Sequence, residues 1–227
     1  MKLPFLTTFI LFVLMTNIAI HRNNEKIRKK EEDFWDKELR ANSTRRKSLE
    51  HLDYVTIPMD KLPFGAVTGN DEIDFCEKSI RRLAEQRIVN LTGITNTDLK
   101  LEYGAPNITE LTAYDQNYTT LVTNLQKWAK ELYDASLYKE AVSVLEFAVS
   151  TKTDVTATYK LLCDLYKNKL SLSQTEADSK IEKLLPIAES LNSLSKSNII
   201  SILNSQLGDN SKNSLPPTKE DVSEIVG

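Results

Sequence analysis

The chain of 227 residues is 41% hydrophobic and 27% charged, which is typical of a folded protein and too apolar for disorder throughout. Its net charge of −3 provides no overall basic field for binding nucleic acid. With only 6 glycines and 7 prolines, the composition disfavours an all-β sandwich or a glycine-rich phosphate loop, so we expect an all-α fold.

The amino-terminal segment predicts a membrane-anchoring helix over residues 1–21. Residues 3–20 contain no charge and, at about 1.5 Å per residue, extend roughly 27 Å as a helix, enough for a thin bilayer. The alternative is a secretory signal peptide cleaved after Ala19, although Asn17 at position −3 is unfavourable because cleavage requires a small residue there.

Basic residues flanking this segment predict its orientation. Lys2 precedes it, whereas five basic residues follow within ten positions: Arg22, Lys26, Arg28, Lys29 and Lys30. The positive-inside rule then places the carboxyl-terminal domain in the cytoplasm, with residues 3–30 contacting membrane lipid. Four glycosylation sequons would be inert in this topology and relevant if the segment is cleaved; they begin at Asn42, Asn90, Asn107 and Asn117.

The next two segments differ in character. Residues 22–41 alternate basic and acidic blocks and predict a charged juxtamembrane helix, in which Phe34 and Trp35 either belong to a solvated spacer or dock onto a membrane or partner. Residues 42–69 contain Pro58 and Pro63 and predict an extended segment. Its apolar side chains either hold it against the helical domain or form a recognition peptide for a partner.

Residues 70–208 predict a helical domain. One apolar stripe indicates a helix from Asp71 to about Val89, followed by a short helix that ends at Tyr103. Asn107 is expected to cap a longer helix from Ile108 to about Ala135, either continuous or broken near Asn117. Cys76 and Cys163 are expected to be buried free thiols.

Residues 125–185 carry a repeated pattern. Leu125, Trp128, Ala129 and Leu132 recur 34 positions later as Tyr159, Leu162, Cys163 and Tyr166. Between them lies Tyr138-Lys139-Glu140-Ala141, followed by Leu145 and Ala148. This layout resembles the tetratricopeptide repeat, in which antiparallel helix pairs stack on one another.

The chain departs from this family's pattern at several points. Ser136 stands in place of the usual turn glycine, and Thr153-Asp154 replaces the usual proline. The second unit matches only after two extra residues, with Ala177, Ile181 and Leu184 as the inner face of a helix that Pro186 kinks or ends. Residues 198–207 are expected to form a capping helix and residues 209–227 a disordered tail.

The resemblance implies a protein-binding face formed by exposed positions of the first helices. Carried over by alignment, the candidate residues are Gln126, Lys130, Tyr133, Lys160, Asp164 and Lys167. The three lysines either form a basic strip for an acidic peptide or a carboxyl terminus, or serve only as solubilising surface charge.

The sequence contains no pattern that indicates catalysis, a metal or a cofactor. Its two histidines, His21 and His51, lack the partners of a catalytic triad or metal site, and none of the common catalytic motifs occurs. We therefore expect a non-enzymatic, membrane-anchored scaffold or adaptor with a cytoplasmic repeat-like domain and a protein or peptide partner, without nucleic acid or a small-molecule substrate. The alternatives are a secreted or periplasmic helical binding module released by signal cleavage, and a structural subunit of a membrane complex.

Overall fold

The computed structural model describes residues 3–208, and describes side chains from residue 7 onward. The predicted all-α architecture is confirmed, because every regular element in this range is helical. The helices are α1 (Leu3–Ser43), α2 (Asp71–Leu83), α3 (Asn96–Tyr103), α4 (Ile108–Asp134), α5 (Tyr138–Ser150), α6 (Thr156–Asp164), α7 (Gln174–Glu182), α8 (Leu185–Glu189) and α9 (Lys196–Gly208). Met1, Lys2 and the predicted disordered tail, 209–227, lie outside the described residues.

The chain divides into two compact units. Unit 1 consists of Met1–Glu50 and Thr95–Thr109, and unit 2 consists of His51–Ile94 and Glu110–Gly227. Unit 1 therefore includes a piece of chain that interrupts unit 2. The boundaries predicted from the sequence are neither confirmed nor contradicted by this division.

Unit 1 is held together by ion pairs between α1 and α3. The ammonium of Lys37 lies 2.7 Å from the carboxylate of Asp98 and holds the pKa of Asp98 below its ordinary value. Glu38 pairs with Lys100 and accepts a 2.7 Å hydrogen bond from Thr97. Ala41 on α1 and Leu99 on α3 are buried in the same unit, and the ion pairs show that charges of this part of α1 serve tertiary structure.

The expected helix cap at Asn107 has a different role. Its carbonyl oxygen accepts from the Arg46 guanidinium at 2.6 Å, and its amide donates to the backbone oxygens of Lys47 and Tyr103, both at 2.8 Å. Asn107 is buried, so it satisfies backbone groups that have no access to water. Nearby Gly104 has φ 94°, and a Cβ there would lie 2.2 Å from the Arg45 backbone oxygen.

Residues 51–69 pack against the helices of unit 2. Ile57 and Leu62 are buried in the core, and the Phe64 ring lies 5.1 Å from the ring of Trp128. The carboxylate of Glu77 on α2 accepts the backbone N–H of Gly65 at 2.9 Å. This packing favours the structural interpretation of the extended segment over the recognition-peptide interpretation.

The prediction of a helix through about Val89 is wrong. Asn70 caps α2, whose acidic first turn follows as expected, but the helix ends at Leu83. Ile88 and Val89 are extended: the backbone N–H of Val55 donates to Ile88 at 2.9 Å, and Tyr54 pairs with Val89 in an antiparallel bridge. Both residues are buried, so the apolar pattern continued while the backbone changed conformation.

Polar contacts define how the helices of unit 2 are arranged. α4 is continuous, and it runs antiparallel to α5, since the Tyr118 hydroxyl donates to the Thr151 oxygen just beyond the end of α5 at 3.0 Å. α4 and α6 run parallel, because Gln126 contacts Thr158 and Tyr133 contacts Asp164.

The second hairpin is less regular than the first. α6 continues into a π-helical turn, Leu165–Lys169. α7 ends at Glu182, and Pro186 lies in the first turn of α8, where its missing N–H has no helical partner to lose. The expected final helix is present as α9, with Ile199 and Leu203 buried.

Within the described part of the chain, no helix is both long enough and apolar enough to cross a membrane. The transmembrane anchor predicted over residues 1–21 therefore gains no support from the structure and stays a prediction.

Candidate functional site

Three of the six predicted partner-binding residues, Gln126, Tyr133 and Asp164, occur in two contacts between α4 and α6. The hydroxyl of Thr158 donates to Gln126 at 2.7 Å, and the hydroxyl of Tyr133 donates to the Asp164 carboxylate at 2.6 Å. The bond to Asp164 raises the pKa of Tyr133. The structure therefore brings these residues together along neighbouring first helices, where they join the two hairpins.

The three lysines of the predicted basic strip have different surroundings. Lys130 is exposed and pairs with Asp134 one turn along α4, which raises the pKa of Lys130. Lys160 is exposed on α6. Lys167 is largely covered, pairs with Asp178 at 3.5 Å and donates to the backbone oxygen of Gln206. Of the three, Lys167 is therefore the least accessible to a partner.

An aromatic group adjoins this face. The rings of Tyr133 and Tyr138 lie 5.5 Å apart, and the ammonium of Lys169 lies 5.5 Å from the first ring and 5.6 Å from the second. Tyrosine faces and a nearby cation provide a surface suited to peptide recognition. Tyr138 and Lys169 were not among the predicted site residues, although both lie in segments that carry the repeat resemblance.

The amino-terminal part of α1 exposes an unusual number of apolar side chains. Phe12 and Met15 are each 65% exposed. The other exposed large apolar residues between positions 9 and 20 are Phe9, Ile10, Leu11, Val13, Leu14, Ile18 and Ile20. Because consecutive helical positions are about 100° apart, this set surrounds the helix.

Unit 2 also contains a cavity of about 330 Å³, which we call the polar cleft. It is lined by four parts of the chain: residues 53–56, residues 90 and 92, residues of the 147–154 stretch at the end of α5, and residues 190–193. Most of the lining side chains are hydroxyl, amide or charged groups, so the cleft is suited to a polar ligand.

Hydrogen bonds fix the inner wall of the polar cleft. The side-chain amide of Asn90 donates to the Tyr118 hydroxyl at 2.9 Å and to the Thr151 backbone oxygen at 3.1 Å. Burial raises the pKa of Tyr118 to about 12, and the negative charge of Asp154 contributes to that rise. Tyr118 is therefore a neutral hydrogen-bonding group at physiological pH.

The two thiols are buried and free, as expected. Burial raises the pKa of Cys76 and raises that of Cys163 to about 11, so neither is a thiolate nucleophile near neutral pH. Among the residues that the structure describes, no group of three or more histidine, cysteine, aspartate and glutamate side chains is arranged to hold a metal ion.

Comparison with protein-family models, curated proteins and solved structures finds no match.

Proposed function

We propose that this chain is a membrane-attached adaptor, in which the apolar end of α1 inserts into a bilayer and unit 2 binds a protein or peptide in the cytoplasm. The observation that carries the proposal is the exposure of large apolar side chains around α1 from Phe9 to Ile20. Burying one such side chain is favourable by about 1.5–3 kcal/mol, so leaving the whole set in water is strongly unfavourable.

Exposed charges after this segment support attachment to an anionic surface. Arg22, Lys26, Arg28, Lys29 and Lys30 are all exposed. Each basic residue close to an anionic bilayer contributes about 1 kcal/mol of attraction. The apolar and basic parts of α1 therefore favour the same location, at the inner face of a membrane.

The helical arrangement of unit 2 supports the tetratricopeptide-like adaptor proposal. Trp128, Ala129, Ala141 and Leu145 are buried, as the repeat resemblance requires. Ser136 adopts φ 63° in the turn, the left-handed conformation for which the family uses glycine. Parallel first helices joined by polar contacts are also the arrangement that a stack of hairpins produces.

Alkaline extraction of membranes from cells that express the full chain tests attachment. The wild-type chain is expected in the membrane fraction. Replacing both Phe12 and Met15 with lysine should move it to the soluble fraction, since a lysine near the centre of a spanning helix costs about 2.5–3.5 kcal/mol. The matched control is Leu39→Lys, which adds a charge at an exposed position of α1 outside the apolar segment. Retention of the double variant in membranes would refute attachment through this segment.

The secreted alternative predicts different chemistry at the sequons. If the chain is expressed in eukaryotic cells, a cytoplasmic location of the whole chain after residue 21 leaves every sequon unmodified. A chain translocated into the endoplasmic reticulum should instead carry glycan at Asn42, which is exposed. Endoglycosidase treatment followed by electrophoresis distinguishes the two, with Asn42→Gln as the control. Glycan at this position would contradict the cytoplasmic orientation.

A further inference from the structure

Several hydroxyl groups that line the polar cleft present acceptors to a ligand and not donors. The hydroxyls of Ser150, Thr151 and Ser190 each donate their only hydrogen to the backbone oxygen three residues earlier, at 2.7, 2.8 and 2.7 Å. Once that hydrogen is used, a hydroxyl oxygen can only accept. These three lining groups therefore offer lone pairs to a ligand.

The amide donors of the cleft are also in use. Asn90 directs its N–H groups to the Tyr118 hydroxyl and to the backbone oxygens of Thr151 and Lys152. Asn192 donates to the Gly93 backbone oxygen at 3.1 Å. The amide groups of the cleft therefore offer little to a ligand rich in acceptors, such as a phosphate or carboxylate.

The negative charge of the cleft also favours a ligand that is cationic and rich in hydrogen-bond donors. Asp53 and Asp154 contribute two carboxylates, and the carboxyl-terminal end of α5 adds the partial negative charge of its last carbonyls. Of the described residues that line the cleft, Lys152 is the one cation, and its ammonium lies 4.0 Å from the Asp53 carboxylate. An incoming cation would therefore compete with the exposed Lys152 ammonium for Asp53.

We infer that the polar cleft binds the guanidinium of an arginine side chain presented by a peptide segment of a partner protein. A guanidinium has five N–H donors and no acceptor, which matches the carboxylates and hydroxyl oxygens of the lining. The volume of about 330 Å³ is at the lower end of the range for ligand pockets, enough for one long side chain. The inference rests on the proposed adaptor function only in that the ligand belongs to a protein.

Apolar residues next to the lining favour a peptide over a small free cation. Leu194, which directly follows the lining residue Ser193, is fully exposed. Ile94 is also exposed, and it follows Gly93, which is bonded to the lining residue Asn192. A peptide with leucine beside its arginine can cover these side chains while the guanidinium enters the cleft.

Replacement of Lys152 provides a distinctive test of the inference, because it should change cation and anion binding in opposite directions. Because its positive charge lies 4.0 Å from the Asp53 carboxylate and would repel a guanidinium, removing that charge should strengthen binding of a cation and weaken binding of an anion. Lys152 has φ 60°, a left-handed conformation that asparagine tolerates better than most residues. Lys152→Asn therefore removes the charge with little backbone strain.

Fluorescence anisotropy with the full chain in detergent micelles tests the inference. The probe is fluorescein-labelled Gly-Leu-Arg-Leu-Gly, and the comparison peptide has glutamine in place of arginine. Asp154→Asn should weaken binding of the arginine peptide about tenfold, because a charge-assisted hydrogen bond is lost. Asp53→Asn should weaken binding only about threefold, because Asp53 is exposed to solvent. Lys152→Asn should tighten binding about threefold by the same reasoning. Glu182→Gln, a neutralised carboxylate on the exposed surface of α7, should leave binding unchanged.

Several results would overturn the inference. These are equal binding of the arginine and glutamine peptides, unchanged binding on Asp53→Asn and Asp154→Asn together, and weaker binding on Lys152→Asn. Asp53 is almost fully exposed, so loss of binding on its replacement does not reflect unfolding. Tighter binding of spermidine than of the arginine peptide would assign the cleft to a free polyamine instead. Because the measurement needs neither a bilayer nor the α4–α6 face, its failure leaves the proposed adaptor function untouched.

Discussion

Phe64 is the residue through which the extended segment can be tested most directly. Its half-buried ring packs on Trp128 at 5.1 Å, and the guanidinium of Arg81 lies 4.2 Å from the centre of the same ring. If residues 51–69 form part of the core, Phe64→Ala must lower the free energy of unfolding. If they are mainly a recognition peptide, the same change should weaken partner binding and leave stability almost unchanged.

The size of the effect follows from these contacts. Truncating a fully buried phenylalanine costs about 3–5 kcal/mol, so a half-buried one costs about 2. The aromatic pair adds about 0.5–1.5 kcal/mol and the exposed cation–π contact about 0.5–1. We therefore expect Phe64→Ala to lower the free energy of unfolding by about 3–4.5 kcal/mol.

Trp128 makes the change observable by fluorescence. The two tryptophans are Trp35, exposed on α1, and Trp128, fully buried. In a Trp35→Phe background the emission reports on Trp128 alone, and loss of the Phe64 ring should admit water and shift that emission to longer wavelength. Urea titration followed by the same signal gives the free energy of unfolding.

Met59→Ala is the matched control, because Met59 lies in the same segment and is 37% exposed. It should cost less than about 1 kcal/mol, a value typical of surface positions. An unfolding midpoint that does not move on Phe64→Ala, with emission of Trp128 unchanged, would refute the structural role of the segment. A double-mutant cycle that combines Arg81→Met with Phe64→Ala should give an interaction energy of about 0.5–1 kcal/mol between the two side chains.

Three further changes have clear expected outcomes. Gly93→Ala should lower the free energy of unfolding in urea by more than about 2 kcal/mol, because the new Cβ would lie 1.9 Å from the backbone oxygen of Asn192. The control is Gly69→Ala, which has a similar φ but open space around it and should cost about 1 kcal/mol. Equal losses for the two variants would contradict the close approach at Gly93. The free energy of unfolding should fall as pH rises from 9.0 toward about 11, since the unfolded chain loses the Cys163 proton that the native chain retains. Urea unfolding at several pH values across that range measures the decrease. A free energy of unfolding that does not change with pH would contradict the burial of Cys163. Affinity capture from crosslinked membranes should recover a partner with the wild-type chain and lose it on Lys130→Glu with Lys160→Glu; equal recovery would contradict the predicted α4–α6 face.

Helices of unit 2 with a strong local pattern could be predicted well. α5 begins at Tyr138 and buries Ala141, Leu145 and Ala148, as the repeat spacing indicated. Apolar periodicity and turn residues act over a few positions, so they can be read without knowledge of distant contacts. Ser136 was a departure from the usual turn glycine in the sequence, and its φ of 63° is the left-handed conformation that glycine favours.

Predictions were wrong where distant segments determine the backbone. Ile88 extends the apolar stripe of α2, but its carbonyl accepts the N–H of Val55, more than thirty residues earlier, and the helix ends before it. Asn107 looks like a helix cap locally, yet its buried amide serves the backbone of Lys47 and Tyr103. In both cases a tertiary hydrogen bond outweighed the local preference.

The polar cleft could not be predicted because no continuous stretch of sequence forms it. Its lining comes from four separate parts of the chain, and Asn90 and Asn192 are ordinary residues in their own local contexts. The left-handed conformation of Lys152 is equally invisible, since lysine carries no preference for positive φ. Gly93 gives no separate signal of the close approach to Asn192, because the turn from Leu91 to Ile94 already accounts for a glycine with φ 80° there.

The return of residues 95–109 to unit 1 restricts how the protein can be divided. A fragment that begins at His51 keeps α3 but loses the part of α1 that supplies Lys37 and Glu38. It would therefore expose the buried Leu99 and leave Asn107 without Arg46 and Lys47. Proteolysis after residue 50, or truncation of the gene at that point, would therefore leave α3 unstable within the remaining fragment. A fragment that contains only unit 2 would also require the removal of residues 95–109.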